Sequence, residues 1–423
     1  MRKVLIICYY WPPAGGPGVQ RWLNFVKYLP EFGIEPVVYV PENPHYPMED
    51  ASFLSEVPQD LKVIKKPIVE PYRWASIFSK KKTKQISKGI ISAKKQSLVE
   101  KLLLWIRGNF FIPDARKYWI NPSVTYLKPF LKKEKIDTVI TTGPPHSLHI
   151  IGLKLKEQLG INWVVDFRDP WTNIGYHSEL KLTTYAQKQH KKLERKVLNM
   201  ADKIITTSFT TKAEFESISK QPIEVITNGF TAHQLEKINL DKKFTLSHIG
   251  SLLSGRNPEI LWESIEELIR EHKTFKDDVQ LNLTGVVSED VLASIHKAGL
   301  EPYLKLSGYI SHEEALKCQH SAQVLLLIEI DAEKTRGIIP GKLFEYMAAE
   351  RPILAVGPKD WDVERILKET NTGAYFAYQD KERLKKKLLS LYEAYKNENL
   401  YVNSSAIDKF HRKSLTKRLA DFI

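Results

Sequence analysis

Apolar runs of five or six residues, each followed by a stretch with helical spacing, recur from the start of the chain. Residues 3–8 form a β-rich run. Trp22, Phe25, Val26 and Leu29 then share one helical face over 19–29, and Gly33 ends the pattern. A second run, 35–40, stops at Pro41, so the chain opens with a βαβ unit. Such a unit implies a parallel sheet with a right-handed crossover. Further strands are expected at 61–64 and near Ile68, then at 138–141, 163–166, 203–207 and 223–226. A charged helix is expected over 183–200 and another from about residue 210. After a polar linker, 231–243, the rhythm restarts, with strands at 244–249, 279–284, 304–306, 324–327, 353–356 and 374–377. Pro258 suits the first turn of a helix over 259–271. The restart predicts two Rossmann-like α/β domains, 1–230 and 243–404, with a last helix over 405–423 returning to the first.

Length agrees with two domains, because 423 residues exceed what one core sustains. A hydrophobic content of 43% is enough to bury both. Cys8 and Cys318 stand alone, with no CxxC pair or metal spacing, which fits a reducing cytoplasm. The first apolar run is too short for a signal peptide, and no run reaches the roughly 18 residues of a membrane span. A cytoplasmic protein, soluble or peripheral at the inner membrane face, is expected.

The net charge of +13 admits nucleic acid, an anionic membrane surface or phosphorylated small molecules as partners. No zinc pattern, RNP signature or basic heptad region accompanies it, so nucleic acid is not expected. Lys80, Lys81, Lys82, Lys84, Lys88, Lys94, Lys95 and Lys101 crowd a helical insertion at about 73–122. There Leu98, Leu102 and Trp105 share a face. The insertion reads either as a solvated charged surface or as a face that approaches anionic lipid.

Four loops at C-terminal strand ends, where open α/β sheets bind ligands, carry the candidate chemistry. Trp11 to Gly18 includes Gly15 and Gly16, which let backbone approach a phosphate ahead of a helix. It is neither GxGxxG nor a Walker A loop. Gly250 and Ser251 open a second glycine turn, and Arg256 could meet a pyrophosphate with two hydrogen bonds. In the third loop Gly341, Lys342, Leu343 and Glu345 start a helix. Lys342 and Glu345 stand three apart on one face, which suits a phosphate and a pair of ribose hydroxyls or, equally, a surface ion pair. The fourth group is Asp166, Arg168 and Asp169 with His146 on a neighbouring loop. It could orient hydroxyls, stabilise positive charge or relay a proton, or simply brace loops. HExxH, zinc spacing and G-x-S-x-G are all missing.

Taken together, the Pro-Pro-Ala-Gly-Gly loop, Asn228-Gly229-Phe230, His248-Ile249-Gly250-Ser251, Ser307 to Glu314 and above all Pro340 to Pro352 resemble glycosyltransferase family 4. The Asp166–Trp171 segment is similar to the subset that builds surface polysaccharides. The resemblance implies a GT-B fold, two Rossmann-like domains facing across a cleft, and retaining transfer of a sugar. The donor would be a UDP- or GDP-sugar and the acceptor a glycan or lipid-linked hydroxyl. It implies that Arg256 and Lys342 hold the donor diphosphate, that Glu345 binds the ribose, and that Gly15 and Gly16 face the donor. It also implies no cofactor and no metal, the cations neutralising the leaving diphosphate. Two residues depart from the pattern. Gly337 stands where the first glutamate of the family's E-x7-E motif would contact the sugar. The family's catalytic-region histidine would align nearer Thr141 or Thr142 than His146. A nucleotide-sugar epimerase and a non-catalytic nucleotide-sugar-binding protein remain as alternative readings.

Overall fold

The computed structural model describes residues 1–70, 98–173, 177, 180–231 and 238–423. The chain divides into two compact units, Met1–Asn228 with Arg412–Ile423, and Gly229–His411.

In the first unit the strands are β1 Arg2–Ile7, β2 Ile34–Pro41, β3 Lys62–Lys66, β4 Thr138–Gly143, β5 Asn162–Phe167, β6 Lys203–Thr206 and β7 Ile223–Val225. They form one sheet in the order β3-β2-β1-β4-β5-β6-β7. Every pairing in it is parallel. Side-chain alternation splits the core into two. Val4 and Ile6 of β1 face α1 (Pro17–Tyr28), while Leu5 and Ile7 join the cluster on the opposite face. Of the helices α2 Leu98–Phe110, α3 Ile120–Glu134, α4 Ser147–Leu159, α5 Thr184–Met200 and α6 Phe209–Glu216, α3 and α4 supply most of that second cluster, α5 and α6 a few residues, and α2 none among the described residues.

The second unit holds β8 Phe244–Ile249, β9 Val279–Thr284, β10 Leu304–Leu306, β11 Val324–Ile328, β12 Ile353–Gly357 and β13 Gly373–Ala377. Their order is β10-β9-β8-β11-β12-β13, again parallel throughout. Around this sheet lie α7 Glu259–Glu271, α8 Lys273–Asp278, α9 Glu289–Lys297, α10 His312–Ser321, α11 Lys342–Ala348, α12 Asp362–Thr370 and α13 Lys381–Lys396. Both units are thus Rossmann-like. In each, the strand order reverses beside the first strand, between β1 and β4 and between β8 and β11. A crevice opens at such a switch point, outside the strands' C-terminal ends.

Two local expectations change. The two pieces near 61–64 and Ile68 are one strand, β3, with Ile68 buried beyond its end. The final helix, α14, runs Arg412–Phe422 rather than from 405, and a 3-10 turn at Ile407–Phe410 precedes it. It belongs to the first unit, where Leu415 and Leu419 join the α1 core and Arg2 Nη2 donates to Ile423 O at 3.0 Å. In α2 Leu102, Leu103, Trp105 and Phe110 reach solvent while Leu104 is buried. Of the clustered lysines only Lys101 lies within the described residues. Among those residues no helix is long and apolar enough to cross a membrane.

Candidate functional site

In the second unit, β8 ends at Ile249 and the chain turns through Gly250, with φ at 121°. That angle favours glycine, and a Cβ there would stand 2.5 Å from Lys342 Nζ. The ammonium therefore lies directly over the turn. Tyr346 fixes α11 to the strand end. Its hydroxyl accepts from Ile249 N at 3.0 Å and donates to Ile249 O at 3.3 Å. Phe344 and Met347 anchor the same helix in the core.

Lys342 keeps part of its surface in solvent, yet protein surrounds its amine closely. Burial and the Arg256 charge push it down to about 8, against the pull of Glu329 and Glu345. Its Nζ is 3.3 Å from His248 Nε2. His248 Nδ1 lies 3.0 Å from the Leu326 carbonyl, so Nδ1 carries the proton and Nε2 offers its lone pair to the ammonium. Burial, then Lys342, holds this imidazole well below its ordinary value.

Arg256 forms a fork with Glu329, Nε to Oε1 at 3.0 Å and Nη2 to Oε2 at 3.2 Å. Glu329 is 1% exposed, and its Oε1 also accepts from Ile330 N at 2.9 Å. Glu345 Oε2 accepts from Gln319 Nε2 at 3.0 Å, while no described residue donates to Oε1. Arg256, Lys342 and Glu345 thus gather at the β8/β11 switch point with donors and acceptors to spare. Ser251 is exposed beside them. Gly341 has open space where a side chain would be. Leu343 needs correcting as a donor-binding residue: its side chain is fully buried, and its N–H is spent on Pro340 O at 3.0 Å.

The first unit treats its expected residues differently. Asp166 is 0% exposed. It accepts from Arg21 Nη2 (2.9 Å) and Nε (3.4 Å), Trp22 Nε1 (2.8 Å) and Thr142 Oγ1 (2.8 Å). Burial alone would push its carboxyl up, but Arg21 and these hydrogen bonds hold it below the usual range. The expectation that Asp166 handles substrate is corrected: its lone pairs are committed to clamping α1 and β4 onto β5.

Arg168 is also a brace. Its Nε donates to Gly143 O at 3.3 Å and its Nη2 to Pro144 O. A Cβ at Gly18 would run into its guanidinium and displace it. Gly16, at φ 104°, caps α1 without a side-chain bond, and Gly15 N is taken by Met48 O at 3.0 Å.

Asp169 and His146 keep open valences. No described residue donates to the Asp169 carboxylate. Asp169 is deeply set, though part of its surface still meets solvent, and desolvation raises its carboxyl above the ordinary value in spite of Arg168. His146 is 4% exposed and stacks on Trp171, centroids 4.7 Å apart at 3°. Neither of its ring nitrogens has a hydrogen-bond partner among the described residues. It does not cap α4. Asp114 does, accepting from Ser147 N and Oγ at 2.8 Å each.

Sequence reasoning missed Arg21, Trp22, Gln319 and Glu329. Only Glu329 had a readable signal, a carboxylate closing the wholly apolar strand 324–328.

The family model described as Glycosyltransferase Family 4 matches residues 91–234, and that described as Glycosyl transferases group 1 matches residues 243–394. No curated protein matches the chain. Among solved structures it is similar to sucrose-phosphate synthase from Thermosynechococcus elongatus, at 14% identity, covering 100% of this chain and 98% of that one with a TM-score of 0.58. It is similar to WaaG, a glycosyltransferase involved in lipopolysaccharide biosynthesis, at 14% identity over 99% of each chain and a TM-score of 0.54. It is also similar to Anabaena HepE in complex with UDP and glucose, at 12% identity, 100% and 99% coverage and a TM-score of 0.59. At these identities the likeness bears on the fold. With each Rossmann-like unit met by its own family model, the chain belongs to glycosyltransferase family 4 and is a glycosyltransferase of the GT-B type.

Proposed function

We propose that the protein transfers a sugar, with retention, from a UDP- or GDP-sugar to a hydroxyl of a glycan or lipid-linked acceptor in surface-polysaccharide synthesis. The observation that carries this reading is the gathering of Arg256, Lys342 and Glu345 at the β8/β11 switch point. Two cations suit a diphosphate, and the free Glu345 Oε1 suits a ribose hydroxyl. The same cations would neutralise the leaving diphosphate, so transfer needs no metal. HepE was solved with UDP and glucose, which supports a UDP-sugar over a GDP-sugar. In the first unit Asp169 and His146 are the groups open to an acceptor or to the sugar.

Calorimetric titration with UDP and GDP tests the division of labour. Lys342→Ala and Glu345→Ala should each weaken nucleotide binding about tenfold or more, the weight of a charge-assisted hydrogen bond. Asp169→Asn should leave binding intact while slowing nucleotide release from a panel of nucleotide sugars. Binding that ignores both second-unit substitutions would remove the donor assignment.

Work at the cytoplasmic face of a membrane, on a lipid-linked acceptor, is the location this reading favours. The exposed Leu102, Leu103, Trp105 and Phe110 of α2, next to Lys101, support it. Cosedimentation with anionic liposomes should fall when Trp105 and Phe110 are changed to serine; unchanged cosedimentation would rule out this surface.

A further inference from the structure

Glu329 buries a full negative charge where a phosphate-binding site would be expected to collect only positive ones. It is held firmly. Oε1 takes Ile330 N at 2.9 Å, and its own carbonyl accepts from Tyr378 Oη at 2.9 Å. The fork it makes uses Nε and Nη2 of Arg256 and leaves Nη1 without a described partner. Arg256 itself is about one-third exposed. A guanidinium pinned along one edge presents its other edge in a fixed orientation, which is how such a fork gains geometric specificity. The second cation, Lys342, would otherwise be repelled by Arg256 at close range.

We propose that Glu329 is a positioning residue for phosphate recognition: it fixes the Arg256 guanidinium and offsets the Arg256–Lys342 repulsion, so that both cations can face a nucleoside diphosphate together. The inference rests on the donor-binding reading of this site. It goes beyond that reading by giving the site a resident counter-charge that no ligand contact requires.

The groups that act on the Lys342 amine are His248 on β8, Arg256 after β8, Glu329 after β11 and Glu345 on α11. A guanidinium is not deprotonated in proteins. His248 is held neutral by burial and by Lys342 itself. Removing the Glu329 charge therefore leaves Lys342 facing Arg256 with only Glu345 in support, and the ammonium should give up its proton sooner.

The test uses Glu329→Gln, which keeps the shape and removes the charge, with Glu329→Asp as the charge-retaining variant. On ligand-free protein, trace acetylation of Lys342 followed by mass spectrometry across pH 6–10 reads the amine's midpoint. Wild type should titrate near 8. Glu329→Gln should titrate at least about one pH unit lower, the usual effect of losing a close opposite charge, and Glu329→Asp should stay near wild type. In parallel, affinity for UDP and GDP from pH 7 to 9.5 should decline as Lys342 loses its proton, and the decline should begin earlier in Glu329→Gln. A purely structural Glu329 would change melting without moving either midpoint.

Superimposable wild-type and Glu329→Gln midpoints would overturn the proposal. If Glu329→Gln does not fold, Arg256→Met reads the same balance from the other side and must raise the Lys342 midpoint. An unchanged midpoint there also overturns it. A wild type that binds neither nucleotide would sink the donor reading and the phosphate part of this inference. The ligand-free titration would still report separately on whether Glu329 holds the cation pair.

Discussion

At the end of β5, Asp166 accepts four hydrogen bonds and meets no solvent. At the end of β11, Glu329 is just as deeply buried, but the arginine it holds keeps part of its fork open. Asp166 is the penultimate residue of β5 and Glu329 directly follows β11, and both pair with arginine. The difference lies in the arginine. Arg21 is buried on all sides, its Nη1 donating to Thr227 O at 2.9 Å, so that pair joins α1 to the sheet and serves the fold. Arg256 is partly exposed and stands beside Lys342, so its pair can serve a ligand as well. Saturation marks the frame, and spare valence marks the groups that can work. By that measure the second unit offers Arg256, Lys342 and Glu345, and the first unit offers Asp169 and His146.

The largest expected effect breaks the saturated pair. Asp166→Ala leaves Arg21 charged and buried, which typically costs about 3–5 kcal/mol. Hydrogen exchange should show the amides of α1 and β5 losing protection together, while those of β8 and β11 keep theirs. If protection fell by less than about 1 kcal/mol, Asp166 would not be the strut described here, and its direct role toward substrate would have to be reconsidered.

Much of this contrast was hidden in the sequence for a physical reason. The βα rhythm and its restart at residue 244 follow from side-chain periodicity, so the two sheets were legible. Lys342 and Glu345 were legible because i and i+3 share a helix face whatever surrounds it. Asp166 looked like Asp169 in the sequence, because nothing local shows that Arg21, 145 residues away, will consume it. The surroundings of the apolar face of α2 were likewise left open by the sequence, since amphipathic spacing says which residues align and not whether anything covers them. Glu329 could have been noticed as the charge ending an apolar strand, but its partner is 73 residues distant.

A smaller effect sharpens the other side of the comparison, the open valence of His146. Burial, then His149, holds its ring well below the ordinary value of 6.5, and burial lowers His149 to about 3. Unfolded histidines take up protons near 6.5, so between that pH and about 3 the unfolded chain binds more protons than the folded one. Stability in this window therefore rises with pH and is lost on acidification, by on the order of 2–3 kcal/mol per buried histidine at pH 4.5. His146→Phe keeps an aromatic ring to stack on Trp171 and removes one such group, so the acid unfolding transition should move to lower pH while neutral stability changes by less than about 1 kcal/mol. A ring kept for packing alone would lose nothing else. Because both nitrogens lack a described partner beside the C-terminal end of β4, the side on which open α/β sheets bind ligands, His146→Phe should also slow nucleotide release from nucleotide sugars about tenfold, with UDP binding unchanged. Full activity together with the gain in acid resistance would place His146 in the frame beside Asp166 and leave Asp169 as the first unit's working group.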